Sequence, residues 1–421
     1  MNPGLRKSRR LGGRSEHRRA VDEANTDDSE DATNTENSKD TTNTDGSTNT
    51  ENSKDAKNTG DPGGSGRRLP AGKLDPETLM RLLARARGPA DSASGGQTGY
   101  GRAGGLSDSG IVVGPGIGLD GAILDVRVPE SGSPPFLVAA SDPITFAADE
   151  IGWYAVHVNA NDVACMGAPP RWFVVTVLLP DGTEEGDVTA VFDQIRRGCD
   201  QVGATLVGGH TEITPGIGRP ILMGTMLGVT TRWISGAGAR PGDDLLLTKG
   251  VAIEGTAILA REKAGRLEGK VAKNVLNRAR DFLHDPGISV VPEARLAMEA
   301  GTVHAFHDPT EGGLAGGIRE LCQASGTGAR IDLDAIHVFD ETRALAAPFD
   351  IDPLGLIASG ALLIAAPSDE ARAILGALEE AGIHAARIGT VEEEDAGVTG
   401  VRKGEERPLS RFPADELGKA L

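Results

Sequence analysis

Four polar signatures interrupt the apolar stretches between residues 110 and 215: Gly118-Leu-Asp120, Ser141-Asp142, Asn159-Ala-Asn161-Asp162 and Gly208-Gly-His-Thr-Glu212. A carboxylate set among apolar residues needs a partner, because an isolated buried charge is costly. Several carboxylates meeting in space need a cation between them. Mg²⁺ held by a few carboxylates and by substrate phosphates is the usual solution. The pattern therefore points to an enzyme that handles ATP, with the carboxylates of these signatures as candidates for holding the cation.

Each signature also has a plainer reading. Asp120 follows Gly114-Pro-Gly116-Ile-Gly118, where Gly116 and Gly118 let the backbone approach a phosphate; a simple turn is the alternative. No Gly-Lys-Ser/Thr follows and the next element reads as a strand, so neither a Walker loop nor a Rossmann fingerprint is present. Asp142 before Pro143 also suits an Asx-turn. Asn161 and Asp162 share the apolar face of a predicted helix, as a satisfied buried network or as ligands; the ligand reading is favoured. Thr211 suits a phosphate oxygen and Glu212 a metal shell, against a solvent loop, with His210 or Glu212 positioning the acceptor. Asp142, His210 and Glu212 are thus the catalytic candidates.

Further along, Lys249 follows a strand as a point charge suited to phosphate, or as an exposed lysine. In His307-Asp308-Pro-Thr310-Glu-Gly-Gly313, Asp308 and Thr310 stand at a predicted helix start, where backbone N–H groups attract an anion; a capping box is the alternative. His157 and Cys165 read as core residues.

The elements that carry these residues are predicted as follows. Helices span 71–88, 150–167 and 187–203, the second with Gly167 as its left-handed cap and Pro169-Pro170 beyond it. Strands cover 111–113, 122–128, 136–140, 172–179, 205–207 and 221–229, and residues 92–110 form a Ser/Gly-rich loop. After the turn Arg240-Pro-Gly-Asp-Asp come a strand at 245–248, a helix from Gly255, two helices across 271–300, and strands at 303–306 and 360–365. The sum is α+β: an acidic Asn/Thr-rich tail at 1–66, two domains at 70–235 and 236–400, and a C-terminal tail at 401–421. The first segment has almost no large apolar side chains and cannot offset its chain entropy, so disorder is expected there.

A net charge of −18 excludes the basic footprint of a nucleic-acid binder. No apolar run is long enough to span a membrane and no signal-peptide core is present, so a cytoplasmic setting is expected. Three cysteines, Cys165, Cys199 and Cys322, have no metal-ligand spacing.

Taken together, over about 70–400, these residues resemble the superfamily of aminoimidazole ribonucleotide (AIR) synthetase, thiamine-monophosphate kinase, selenophosphate synthetase and the hydrogenase-maturation factor HypE. The resemblance rests on the Asn-Asp pair followed by Met166-Gly-Ala-Pro169, on Pro241-Gly-Asp-Asp, on Gly255-Thr-Ala and on Asp308-Pro-Thr-Glu-Gly-Gly313. It implies a two-domain PurM-like fold, with a dimerising mixed α/β N-terminal domain and an α+β C-terminal domain. It also implies ATP at a first-domain site, Mg²⁺ on Asp120, Asp142 and Asp162 with Glu212 as a further candidate, and a homodimer built on the first-domain sheet. The Asp-Pro-Thr-x-Gly-Gly segment is most similar to HypE. HypE ends in a carbamoyl-carrying cysteine, whereas this sequence closes Glu416-Leu-Gly-Lys-Ala-Leu421. The expectation is therefore a HypE-like phosphoryl-transfer enzyme acting on an unidentified small or protein-borne substrate. A thiamine-monophosphate kinase and a non-catalytic ATP-binding scaffold dimer are the alternatives.

Overall fold

A computed structural model describes residues 111–113, 122–125, 135–145 and 149–421. Asp120, Gly116 and Gly118, the 1–66 tail, the 71–88 helix and the 92–110 loop lie outside these residues. All the described residues belong to one unit, Arg67–Leu421.

The first sheet joins β1 (Ile111–Val113), β2 (Ala122–Asp125), β3 (Phe136–Ala140), β4 (Pro143–Ile144), β5 (Pro170–Leu179), β6 (Thr205–Ile213) and β7 (Ile221–Thr230). Its order is β1-β2-β3-β7-β5-β6, with β4 also paired to β7. All pairs are antiparallel except β5–β6. A parallel pair needs a crossover, and helix α2 (Glu185–Val202) supplies it. Its Glu184 and Asp187 form a reciprocal capping box, and Gly203 ends it in the left-handed region. Val191, Ile195, Cys199 and Val202 make its buried stripe.

Helix α1 (Ile151–Cys165) differs from α2 in that all of its residues are buried. A helix apolar all round belongs in an interior, and α1 lies between the first sheet and the second domain. Phe173, Val175, Val177 and Leu179 of β5 share its core. Alternation along β5 leaves Thr176 and Leu178 on the opposite face.

The second sheet, in order β14-β13-β10-β12-β8-β11-β9, contains β8 (Asp243–Thr248), β9 (Ala305–His307), β10 (Gly328–Asp332), β11 (Leu363–Pro367), β12 (Ala385–Glu392), β13 (Val398–Arg402) and β14 (Glu405–Pro408). Helices α3 (Ile253–Glu262), α4 (Lys273–Asp281), α5 (Val291–Ala300), α6 (Gly313–Ser325) and α7 (Ser368–Glu380) flank it. Residues 283–290, between α4 and α5, run past α1 and form a strap between the two halves.

One expectation needs correction here. The strand predicted at 205–207 continues through Ile213, so Gly208-Gly-His-Thr-Glu212 is strand rather than loop. Its backbone is held by parallel pairing from Trp172↔Thr205 to Leu179↔Ile213. Gly209 is required by that pairing: its φ is +147°, and a Cβ there would sit 1.8 Å from the Val175 carbonyl oxygen. This glycine serves the neighbouring strand.

Candidate active site between the sheet and helix α1

The site begins at Asn159, a fully buried α1 side chain. Its Oδ1 accepts from the Asp142 N–H at 2.8 Å, and its Nδ2 donates to the Asp142 carbonyl at 3.3 Å and to the Ala155 carbonyl at 2.8 Å. Gly224 on β7 donates its N–H to the same Asp142 carbonyl at 3.1 Å. A Cβ at Gly224 would lie 2.4 Å from Asn159 Nδ2, so that glycine makes room for the clamp. Ser141 Oγ donates to the Gly224 carbonyl at 2.7 Å and completes the junction.

The clamp places the exposed Asp142 against the helix that carries Asp162. Asp162 is three residues beyond Asn159, on the same helical face, and is 5% exposed. As hard oxygen donors, the two carboxylates suit Mg²⁺ bound by one or two carboxylates plus phosphate oxygens. Among the described residues no three His, Cys, Asp or Glu side chains converge as a metal cage.

His210 and Glu212 do not join this pair within one chain. A transverse row of the sheet runs Pro143↔Met223, Met223↔Thr176 and Thr176↔His210. Three strand spacings separate its ends, about 14 Å. His210 and Glu212 also share a face with Thr176 and Leu178, whereas Asp162 lies on α1 under the other face. His210 Nε2 is 3.0 Å from Glu212 Oε2, and Thr214 Oγ1 donates to Glu212 Oε1 at 2.9 Å. The hydrogen bonds from His210 and then Thr214 hold the Glu212 carboxyl below its ordinary pKa. Thr211 is exposed on the same strand.

Asn161 and Lys249 have their polar atoms committed elsewhere. Asn161 Oδ1 accepts from Val290 N–H at 2.9 Å and its Nδ2 donates to the Ile288 carbonyl at 2.8 Å. Lys249 is buried, and its ammonium meets Glu293 Oε1 at 2.8 Å, the Ser289 carbonyl at 2.6 Å and the Gly287 carbonyl at 3.1 Å. The expected point charge for phosphate is taken up by the protein's own oxygens. Trp153 Nε1, 3.3 Å from the Leu283 carbonyl, adds a third tie from α1 to the strap.

Asp308 and Thr310 stand before α6 as expected. Cys165 Sγ donates to Asp308 Oδ1 at 3.6 Å, which brings this loop to the end of α1, one turn from Asp162. The helix cap itself is Gly312, with no side-chain capping bond. Its N–H is taken by Asp415 Oδ2 at 2.8 Å, so the anion expected at this helix start is a carboxylate of the chain. Burial raises the Asp415 pKa. Nearby Glu254, on α3, is pushed up to about 8 by burial, with the Glu311 and Asp415 carboxyls adding to the shift. On α1, burial drives His157 down to about 3, helped by His284 and Lys249.

Sequence reasoning gave Asn159 no role and did not find Glu293. The signal for Asn159 was an amide one helical turn before an aspartate on a buried helix. Glu293 carries no local signal, since it meets Lys249 only through the fold.

The two sheets and their helices belong to a known architecture. The N-terminal-domain model of AIR synthase related proteins matches residues 122–230, and the C-terminal-domain model matches 240–402. The chain belongs to the AIR synthase-related family of enzymes. Within that family it is HypE-like. It is 30% identical over 258 residues to carbamoyl dehydratase HypE of Cupriavidus necator, covering 60% of this chain and 70% of that protein. Against carbamoyl dehydratase HypE of Azotobacter vinelandii the identity is 30% over 259 residues, 60% of this chain and 73% of the relative. Among solved structures, the hydrogenase maturation protein HypE in complex with ATP superposes with a TM-score of 0.58 at 27% identity, over 71% of this chain and 90% of that one. Thiamine monophosphate kinase from Aquifex aeolicus, at 18% identity, TM-score 0.52 and coverage of 67% and 94%, shares the fold.

Proposed function

We propose that the chain is an ATP-dependent, HypE-like enzyme that phosphorylates an amide-type oxygen of a substrate still to be identified. The observation that carries this reading is the Asn159 clamp, which fixes the backbone of Asp142 beside the helix bearing Asp162. A HypE structure that overlays most of this chain contains ATP, and relatives at 30% identity are carbamoyl dehydratases. Asp142 and Asp162 hold the metal in this reading, with Asp120 as a third ligand and Gly116 and Gly118 beside the phosphates. Mg²⁺, when bound, supplies charge neutralisation on the phosphate oxygens. The substrate oxygen forms a bond to the γ-phosphorus as the bond to the bridging oxygen breaks and ADP leaves. An amide oxygen phosphorylated in this way departs as inorganic phosphate, and the nitrogen gives up its protons. That sequence removes the elements of water from the amide.

The residues contribute positioning and electrostatics, which is most of what such transfer requires. Asp308 and Thr310 border the end of α1, where an acceptor approaches from the second domain. His210, Thr211 and Glu212 fit better at a surface between copies. Every residue of β6 is exposed, including the apolar Leu206, Val207 and Ile213. A strand of this length that is the sheet edge among the described residues is a template for association, which supports a homodimer through the first sheet. A cytoplasmic setting is part of the same reading; among the described residues no helix is long and apolar enough to cross a membrane.

The test is ADP release and thermal stabilisation by ATP with and without Mg²⁺, for the wild type and for Asp142→Asn and Asp162→Asn. Mg²⁺-dependent stabilisation that either substitution abolishes is the expected result. Absence of both signals in the wild type overturns the reading, and thiamine diphosphate formed from thiamine phosphate would redirect it to the kinase. For the dimer, Val207→Glu is expected to yield monomer in sedimentation at micromolar protein; an unchanged mass would refute β6 as the contact.

A further inference from the structure

We infer that Lys249 is a positioning residue for Asp162, acting through the strap at 283–290 and not by touching a phosphate. This inference rests on the proposed role of Asp162. The strap is gripped from both sides at adjacent residues. From the second domain, the Lys249 ammonium takes the Gly287 and Ser289 carbonyls. From α1, Asn161 takes the Ile288 carbonyl and the Val290 N–H. The four backbone groups belong to four consecutive residues, so moving one pair moves the other. Asn161 precedes Asp162 directly, and its two hydrogen bonds fix the height and rotation of that turn of α1.

The backbone and the side chain of Lys249 both fit this task. Its backbone sits in the left-handed region at φ +54°, a conformation unfavourable for a non-glycine residue and one that the surrounding structure must therefore hold. Its N–H donates to the His384 carbonyl at 2.6 Å, which pins it at the end of β8. Its charge is matched by Glu293, itself 3% exposed. A lysine with three oxygens around its ammonium has used its three donors. Outer-shell groups of this kind set the geometry of metal ligands, and their loss typically costs about 10–100-fold in metal affinity.

The experiment compares Lys249→Met, Glu293→Gln, Asn161→Ala and the Lys249→Met/Asn161→Ala double variant. The Mg²⁺ concentration at half-maximal ATP hydrolysis should rise about 10–100-fold in Lys249→Met and Asn161→Ala, while KM for ATP at saturating Mg²⁺ stays near the wild-type value. The double variant should be no worse than the poorer single one, because both act through one strap. An increase in KM for ATP with an unchanged Mg²⁺ requirement is what a phosphate-touching lysine gives, and it overturns the proposal. So do multiplicative effects in the double variant. Amide exchange in the protein without nucleotide supplies an independent readout: Lys249→Met should accelerate exchange in 288–292 and in 157–166 by more than it does in β8 or β11, where any increase reports only global stability. Unchanged exchange in 157–166 refutes the coupling even if Asp162 proves not to bind metal. If Asp162→Asn leaves the Mg²⁺ requirement unaltered while exchange responds, the proposed function has failed and the coupling stands. Should Lys249→Met not fold, Glu293→Gln and Asn161→Ala carry the same comparison.

Discussion

Helix α1 and strand β6 carry the two richest polar runs of the first domain, and the fold treats them in opposite ways. On α1, Asn159, Asn161 and Asp162 are buried, and both asparagines tie their amides to backbone groups 17 or more residues away, Asn159 also to Ala155. On β6, His210, Thr211 and Glu212 are exposed, and the two hydrogen bonds of Glu212 are to side chains two residues away. Buried polar groups are expensive to leave unpaired and so are held in one arrangement. Exposed ones are cheap and interchangeable until something covers them. The α1 run is the part that a single chain can organise; the β6 run awaits a surface.

The largest effect that separates these regions should come from Lys249→Met. Removing one partner of a buried ion pair typically costs about 3–5 kcal/mol, here by stranding Glu293, and denaturant unfolding would register it. A loss below about 1 kcal/mol would mean that water reaches the pair. Next comes Gly224→Ala. Its Cβ would meet Asn159 Nδ2 at 2.4 Å and Phe173 Cε2 at 2.8 Å, an overpacking worth about 1–3 kcal/mol. It should also release Asp142, so Mg²⁺-dependent nucleotide binding should fall with the melting temperature; an intact clamp in the variant would contradict the account.

Titration sharpens the contrast further. His157 is neutral in the native state with a pKa of about 3 against an ordinary 6.5. Its contribution is present above pH 6.5 and is lost as pH falls toward 3. Glu254 is protonated in the native state with a pKa of about 8 against an ordinary 4.5. Its contribution is full below pH 4.5 and is lost as pH rises through 8. Each group tilts stability by at most about 1.4 kcal/mol per pH unit. Glu254→Gln should therefore flatten the alkaline limb of a stability–pH curve and His157→Phe the acid limb, with neither altering the other. The smallest effect belongs to His210→Ala: an exposed pair contributes about 0–1 kcal/mol, and a larger drop in a concentration-independent melt would show that β6 is covered within one chain.

The two regions were also unequally legible. The α1 pattern was readable because apolar residues recur at helical steps and Gly167 with Pro169 mark its end. The helix runs Ile151–Cys165 as that pattern requires. Strand β6 was cut short at residue 207 because two glycines and three polar residues look like a turn. Only the partner strand β5 makes it a strand, and that pairing is not written locally. The carboxylates Asp142 and Asp162 were found by type. What joins them, the Asn159 amide and the missing side chain at Gly224, depends on contacts 17 and 65 residues away that periodicity does not encode. Lys249 was recognised as a cation, but its burial beside Glu293 follows from where β8 and α5 meet.

Fastening α1 on both flanks removes the seam along which two halves of such a molecule would swing. Trp153, Asn161 and Cys165 rivet its inner side to the second domain, while Asn159 rivets its outer side to β3 and β4. Movement of one half against the other would first have to break these hydrogen bonds.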